Sequence, residues 1–146
     1  MVNIRSIIAA ACVAVATAAA AQNPGEAATR NFEHAIANIP GKSLVAVVVD
    51  YAPGGASHSH THAKSAFIYA YVVSGVVESL VNDGPKRAYH AGESFYELPG
   101  AHHAVSRNAS ATEPAKLLAV FAVDTDDKAL TTPDEQINLD NRSKNK

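Results

Sequence analysis

Three of the seven histidines stand on alternate positions within the stretch Gly54-Gly55-Ala56-Ser57-His58-Ser59-His60-Thr61-His62. In an extended strand, alternate side chains point to the same face, so these three imidazoles would share one face. Their backbones would lie about 6.5 Å apart at each step, close enough for the ring nitrogens to meet on one metal ion. The intervening residues are Ser and Thr, so the stretch is poor core material and favours a metal-binding role.

Length and charge restrict the classes of protein to consider. A chain of 146 residues is typical of one domain. The net charge is −2, the pI is about 6.4 and no basic cluster is present, which argues against a nucleic-acid partner. Cys12 is the single cysteine, so disulfides and thiolate metal sites are excluded from the rest of the chain.

Residues 1–21 have the pattern of a secretory signal peptide. Arg5 precedes an apolar run over 7–16, and small residues lead to Ala19-Ala20-Ala21, which would permit cleavage before Gln22. The apolar run is too short and too rich in alanine for a good membrane span. We therefore expect a secreted or periplasmic protein that has no membrane anchor after cleavage.

The rest of the chain divides into a lead-in over 22–42, a β domain over 43–124 and a polar tail over 125–146. In the lead-in, apolar residues from Ala27 to Ile36 fit one stripe of a short helix that Pro40-Gly41 would end, with His34 exposed to solvent. The β domain shows seven or eight short strands separated by turn signals, which predicts an antiparallel barrel or sandwich. The tail has no apolar period and is expected to be loosely ordered.

Two sets of residues in the β domain match a known pattern in order and spacing. The first set is Gly54, His60-Thr61-His62 and Gly75, and the second is Gly92, Leu98-Pro99-Gly100, His103 and Asn108. They resemble the two motifs of the cupin superfamily, in its small single-domain (cupin-2) form. The resemblance implies an all-β jelly-roll barrel with one divalent metal ion inside, held by His60, His62 and His103.

The chain departs from that pattern at one ligand. Where the cupin motif has a glutamate, this sequence has Ala66-Phe67-Ile68, none of which can bind a metal. The proline of the second motif is also displaced, from the position of Leu98 to Pro99. A neutral three-histidine set should bind a divalent ion more weakly, and it resembles both three-histidine cupin dioxygenases and cupins that have lost their metal.

Strand parity selects between the adjacent histidines His102 and His103. In an extended strand, His103 shares a face with Ala101 and Val105, the apolar face expected to line the barrel, whereas His102 shares its face with Ser106. His103 is therefore favoured as the ligand. His58 stays open as a fourth ligand, a residue supporting the ligands, a rim residue or an exposed turn histidine.

Other polar residues are candidates for supporting roles. Glu97 precedes the Pro-Gly turn and is a candidate helper in catalysis. Glu78 is expected on a hairpin surface, although an inward orientation would let it supply the absent carboxylate. Tyr69 and Tyr71 share a face with Phe67 and are expected to pack in the core or barrel wall rather than to donate protons.

Three functions fit these features. The first is a metal-dependent oxidoreductase, dioxygenase-like, that acts on a small organic molecule with Fe, Mn, Cu, Ni or Zn as the ion. The second is a non-catalytic barrel that binds a small ligand or a metal. The third is a non-redox isomerase, cyclase or lyase. The exposed edges of such a small barrel also favour pairing into a homodimer.

Overall fold

A computed structural model describes residues 25–135 and 142–144, and these contain ten strands. The strands are β1 (Glu26–Ala35), β2 (Lys42–Tyr51), β3 (His60–His62), β4 (Phe67–Ser74), β5 (Val76–Val81), β6 (Arg87–His90), β7 (Ser94–Glu97), β8 (His102–Asn108), β9 (Ala115–Asp124) and β10 (Thr131–Pro133). Residues 134–135 and 142–144 are helical. The signal peptide predicted over 1–21 lies outside the described residues.

The strands form two five-stranded antiparallel sheets, in the orders β1-β2-β9-β4-β7 and β10-β3-β8-β5-β6. This confirms the predicted all-β jelly roll. In β9, buried and partly exposed residues alternate from Ala115 to Val123, so one face of the strand lines the core. The buried apolar side chains of β2, β4 and β9 form most of that core. In the part of the chain that the model describes, no helix is long and apolar enough to span a membrane.

The lead-in does not form the predicted helix. Residues 26–35 form β1, which pairs antiparallel with β2 along its whole length. Pro40-Gly41 belongs to the turn that joins the two strands, where Gly41 takes a φ of +79°. The helical stripe was misleading because β2 offers a ten-residue ladder of backbone hydrogen bonds, a long-range effect that outweighs local propensity.

The polar tail is also more ordered than expected. Residues 131–133 form β10, which pairs with β3 in the register Thr131↔His62 to Pro133↔His60. Two backbone hydrogen bonds flank this pairing, from Ala63 N to Leu130 O and from Asp134 N to Ser59 O. Backbone pairing requires no apolar side chains, so composition could not predict it.

β4 presents the opposite face from the one expected. Ile68, Ala70 and Val72 are buried, whereas Phe67 and Tyr69 are almost half exposed. The prediction that Tyr69 packs in the core was therefore wrong. The even-numbered and the odd-numbered residues of β4 are both largely apolar. Alternation therefore assigns each residue to one of two faces of the strand, but it does not show which face points inward.

Candidate metal centre

Three imidazoles converge on one point between the sheets. His60 and His62 lie on β3 and His103 lies on β8, and each offers one nitrogen within 4.8 Å of the nitrogens of the other two. His60 is directly opposite His103 in the antiparallel pair of β3 and β8. His62 and His103 are buried and His60 is partly buried. The structure thus brings together the three histidines selected from the sequence.

The strand does not begin at His58, which is why that residue does not join the cluster. β3 starts at His60, and the side chain of His58 is exposed at the rim of the cavity described below. The backbone carbonyl of His58 lies 2.7 Å from Nδ1 of His60. A carbonyl only accepts hydrogen bonds, so Nδ1 of His60 carries the proton and Nε2 keeps its lone pair. Burial lowers the pKa of His60 to about 4, so its ring is neutral at neutral pH, as a metal ligand must be.

A buried carboxylate completes the cluster. Oε2 of Glu97 lies 3.0 Å from Nε2 of His62, and Oε1 lies 3.3 Å from Nδ1 of His103. Burial alone would raise the pKa of Glu97, but the adjacent His103 and His62 outweigh it and lower that pKa to about 2. Glu97 is therefore an anion in the centre of the barrel, next to two of the three imidazoles.

The position of Glu97 accounts for the glutamate missing from the first motif. Ile68 occupies β4 at the place where that glutamate was sought, and Ile68 is directly paired with Glu97 on β7. Side chains of directly paired residues leave the same face of a sheet about 4.5–5.5 Å apart. A carboxylate on β7 can therefore reach the place that a carboxylate on β4 would occupy. From the sequence Glu97 was expected only as a helper in catalysis, because strand pairing between residues so far apart is not visible in the sequence.

The polar atoms of this cluster are unusually poor in hydrogen bonds. Among the described residues, the buried side-chain atoms without a hydrogen-bond partner are Nδ1 and Nε2 of His62 and Oε2 of Glu97. Nε2 and Oε2 are close but are not aligned as a hydrogen bond requires. Unsatisfied buried polar atoms are costly. Imidazole nitrogens and a carboxylate left unsatisfied at one point fit a divalent cation of the Fe, Mn, Cu, Ni or Zn group.

Ser79 holds the ring of His103. Its Oγ lies 2.8 Å from Nε2 of His103 and both side chains are buried. With Ser79 bound to Nε2, Nδ1, which faces Glu97, is the nitrogen that would bind a metal. Such a bond outside the ligand set fixes the tautomer and orientation of a metal-binding histidine.

We expect Ser79→Ala to lower the affinity for a divalent ion by about 10–100-fold, since the His103 ring loses its orienting partner. Competition with a chromophoric chelator measures the affinity. Ser94→Ala, at an exposed position on β7, is the matched control and should bind as wild type does. Equal affinities for the two variants would contradict the role of Ser79.

A cavity of about 550 Å³ opens beside the cluster. His60, Glu97 and His103 line one part of it, and an apolar wall is formed by β2, β4 and β9. The wall residues are Val47, Val49, Ala70, Leu117, Ala119 and Phe121. The volume lies within the range of small-molecule sites.

A chain of hydroxyl groups lines another part of the cavity. Ser57 donates to a carboxylate oxygen of Glu26 at 2.6 Å. Tyr51 lies 2.7 Å from the Ser57 hydroxyl and 2.8 Å from that of Ser106. The single hydroxyl hydrogen of Ser57 is donated to Glu26, so the Tyr51 hydroxyl must donate to Ser57. Tyr51 then has no hydrogen left, so Ser106 must donate to Tyr51. The Ser106 oxygen is thus left with acceptor capacity at the cavity wall.

Ser106 reaches the cavity through a bulge that the sequence did not reveal. Strand parity predicts that Ser106 shares the outer face with His102, yet Ser106 is buried. The register between β5 and β8 shifts, from Leu80↔Val105 to Val81↔His103, which leaves Ala104 unpaired. One extra residue reverses the parity that follows it, so both His103 and Ser106 point inward.

The end of the described chain covers part of the cavity. Residues 128–131 and Pro133 line it. Asp134 accepts a hydrogen bond from Ser59 at 2.6 Å and lies 3.0 Å from Nε2 of His102. His102 therefore acts on the outside of the barrel, where it helps to hold β10 against β3.

The remaining candidates lie away from the cluster. Glu78 pairs with Arg107 and Lys86 on the surface and supplies no carboxylate to the interior. His34 is exposed on β1, with its Nδ1 2.7 Å from the carbonyl of Ala35. Tyr71 belongs to the outward face of β4 with Tyr69.

Comparison with known proteins gives one family and several structures. A family model described as "Cupin domain" matches residues 47–121. A conserved protein from Klebsiella pneumoniae with a double-stranded β-helix domain shares 24% identity and a TM-score of 0.57, over 73% of this chain and 84% of that one. The protein TT1209 of Thermus thermophilus shares 27% identity and a TM-score of 0.55, over 71% and 90%. No curated protein sequence matches this chain.

An oxalate oxidase is also similar, with 27% identity and a TM-score of 0.53 over 68% of this chain. The matched part is 51% of that oxidase, so this chain corresponds to about half of it.

Proposed function

Since this chain belongs to the cupin family, we propose that it is a metal-dependent cupin oxidoreductase that acts on a small organic molecule. His60, His62, His103 and Glu97 would hold one divalent ion. The observation that carries the proposal is the buried meeting of three imidazoles with a carboxylate, beside a cavity of suitable size.

Three of the four cluster residues have separate tasks in this proposal. His60 offers Nε2 because its Nδ1–H is bound to the carbonyl of His58. His103 offers Nδ1 because Ser79 occupies its Nε2. Glu97 adds the negative charge that three neutral imidazoles lack. When bound, such an ion would supply a Lewis-acidic centre and, for iron, manganese or copper, electron exchange with oxygen.

The cavity indicates the class of substrate. One wall of the cavity is apolar and suits the apolar part of a small molecule, and Glu26, Arg30 and Lys128 add charged groups elsewhere in the lining. The acceptor oxygen of Ser106 favours a substrate with a hydroxyl or amine group directed at Ser106. The oxalate oxidase is named for an oxidation, and the likeness to it at 27% identity supports an oxidoreductase.

Two further features of the proposal concern the context of the enzyme. We propose export to a secreted or periplasmic location, on the basis of the signal pattern in residues 1–21. Small molecules are the partners that the cavity accommodates. The negative net charge gives no basis for binding a nucleic acid.

A metal and oxygen screen tests the proposal. Purified protein is loaded in turn with Fe²⁺, Mn²⁺, Cu²⁺, Ni²⁺ and Zn²⁺, its metal content is measured, and oxygen uptake is recorded with a panel of small alcohols, amines and phenols. We expect one ion per chain and oxygen uptake that a chelator abolishes. Chelator-sensitive turnover without oxygen uptake would replace the oxidoreductase by an isomerase, cyclase or lyase. Ligand binding without turnover, unaffected by a chelator, would make the protein a non-catalytic binder.

A further inference from the structure

The outward face of the first sheet is apolar across all five of its strands. The strand registers place five residues in one row across this face, and this central row consists of Phe32, Ala46, Val120, Tyr69 and Tyr96. Tyr69 is 45% exposed and Tyr96 is 64% exposed. One face of an antiparallel sheet commonly meets solvent, but it then carries polar side chains.

Two neighbouring rows continue the apolar surface. One contains Leu44, Ala122 and Phe67 and ends at His34 on β1. The other contains Val48, Leu118 and Tyr71 and ends at Thr29 on β1 and Ser94 on β7. Phe67 stacks on Tyr96 with ring centroids 5.9 Å apart, so aromatic side chains of β4 and β7 contact each other on this face. The residues of these three rows include no Asp, Glu, Lys or Arg. We call them together the outer apolar face.

Charged residues limit this face at both ends of its two central strands. Lys42 pairs with Asp124 at 2.6 Å at one end, and Lys116 pairs with Asp50 at 3.0 Å at the other. An apolar centre with a polar rim is the usual anatomy of a protein interface. The face lies on the opposite side of the sheet from the metal cluster and cavity, so its role is independent of the function proposed above.

We infer that the outer apolar face is the contact surface of a symmetric homodimer, in which it packs against the same face of a second copy. The exposed parts of its side chains amount to roughly 600 Å² per copy, taking about 200 Å² for a whole aromatic side chain. That area approaches the ~800 Å² per partner of a standard interface and reaches the upper limit of ~600 Å² for the largest patch on a typical monomer.

The arrangement of charges identifies a second copy as the occupant. β2 runs from Lys42 to Asp50, and its antiparallel neighbour β9 runs from Lys116 to Asp124. A two-fold axis that runs parallel to the strands between β2 and β9 places Lys42 over Asp124 of the second copy. A two-fold axis across the strands places Lys42 over Asp50 of the second copy. Each Lys therefore faces an Asp in either symmetric arrangement, and like charges do not meet.

The same charges disfavour a membrane as the occupant. A surface that binds anionic lipid needs an excess of Lys or Arg around its apolar part. Here each end of β2 and β9 carries one Lys and one Asp, so these four residues add no net positive charge around the face.

Analytical ultracentrifugation over a range of micromolar concentrations tests the inference. We expect wild-type protein to sediment at twice the mass of one chain. Tyr69→Glu should raise the dimer dissociation constant by about 100-fold or more, because two carboxylates per dimer would be buried near the axis. Phe67→Glu is a second variant in another row, and circular dichroism and metal content show whether each variant is folded.

Ile39→Glu is the matched control, because Ile39 is an exposed apolar residue outside the face, in the turn before β2. It should leave the dimer intact. A wild-type monomer over the whole range would overturn the inference, whether or not the protein binds lipid vesicles. A dimer that persists in the folded Tyr69→Glu and Phe67→Glu variants would also overturn the inference. The contact between the two copies would then lie at a sheet edge such as β1.

Discussion

Replacing His60 and His103 together by alanine is expected to abolish stoichiometric binding of a divalent ion while the barrel stays folded. The two residues supply two of the three converging nitrogens, and the pair is the only direct cross-strand link between β3 and β8 within the described cluster. Their backbone pairing does not need the imidazoles. The loss should therefore appear in metal content, measured by elemental analysis, and leave the circular dichroism spectrum unchanged.

Thermal unfolding gives an independent measure of the same loss. An ion present at 100 times its dissociation constant stabilises the fold by about 2.7 kcal/mol. In a domain of about 100 residues, this corresponds to a rise in Tm of roughly 10 °C or more, at 4–8 °C per kcal/mol. We expect the added ion to raise the Tm of the wild type and to leave that of the double variant unchanged.

Two single variants serve as controls for the histidine assignment. His34→Ala removes an exposed imidazole from β1 and should change neither metal content nor Tm. His102→Ala removes the immediate neighbour of His103, but its contacts are to Ser59 and Asp134 on the outside of the barrel. Equal metal content in the wild type and the His60→Ala/His103→Ala variant would show that these residues do not form the metal site.

The features that the sequence predicted well are those set by local spacing. Alternation at His60 and His62 required only that the chain be extended there, and an extended strand puts both on one face. The glycines at the turns were also predicted correctly, because a turn needs a local backbone conformation that favours glycine. Gly75 and Gly100 both have a φ of +73°, a backbone conformation that side chains with a Cβ rarely adopt. Such positions demand glycine wherever the rest of the chain goes.

The features that the sequence did not reveal depend on strand pairing at a distance. β1 is a strand because β2 accepts its backbone bonds, and β10 is ordered because β3 does. Ser106 points inward because one unpaired residue in β8 reverses its parity. The role of Glu97 belongs to the same class, since it follows from the register Ile68↔Glu97 rather than from either residue's neighbours in the sequence.

Exchanging Ile68 and Glu97 tests that register directly. We expect Glu97→Ile alone to lower the affinity for a divalent ion by well over 10-fold, because the only anion among the cluster residues is lost. The double variant Ile68→Glu/Glu97→Ile returns a carboxylate to β4, where the cupin motif has one, and should recover most of the affinity. Both positions are buried and the pair keeps its total volume, so the exchange does not by itself open a cavity.

Two measurements separate ligation from mere burial of charge. Glu97→Gln keeps the shape and one acceptor oxygen but not the negative charge, so it should bind the ion far more weakly than wild type while folding normally. Glu78→Gln is the matched control, because that glutamate pairs only with surface Arg107 and Lys86. If Glu97→Gln bound the ion as tightly as Glu78→Gln does, the carboxylate would be no ligand. If the exchanged double variant stayed as weak as Glu97→Ile, Glu97 would not stand in for a carboxylate on β4.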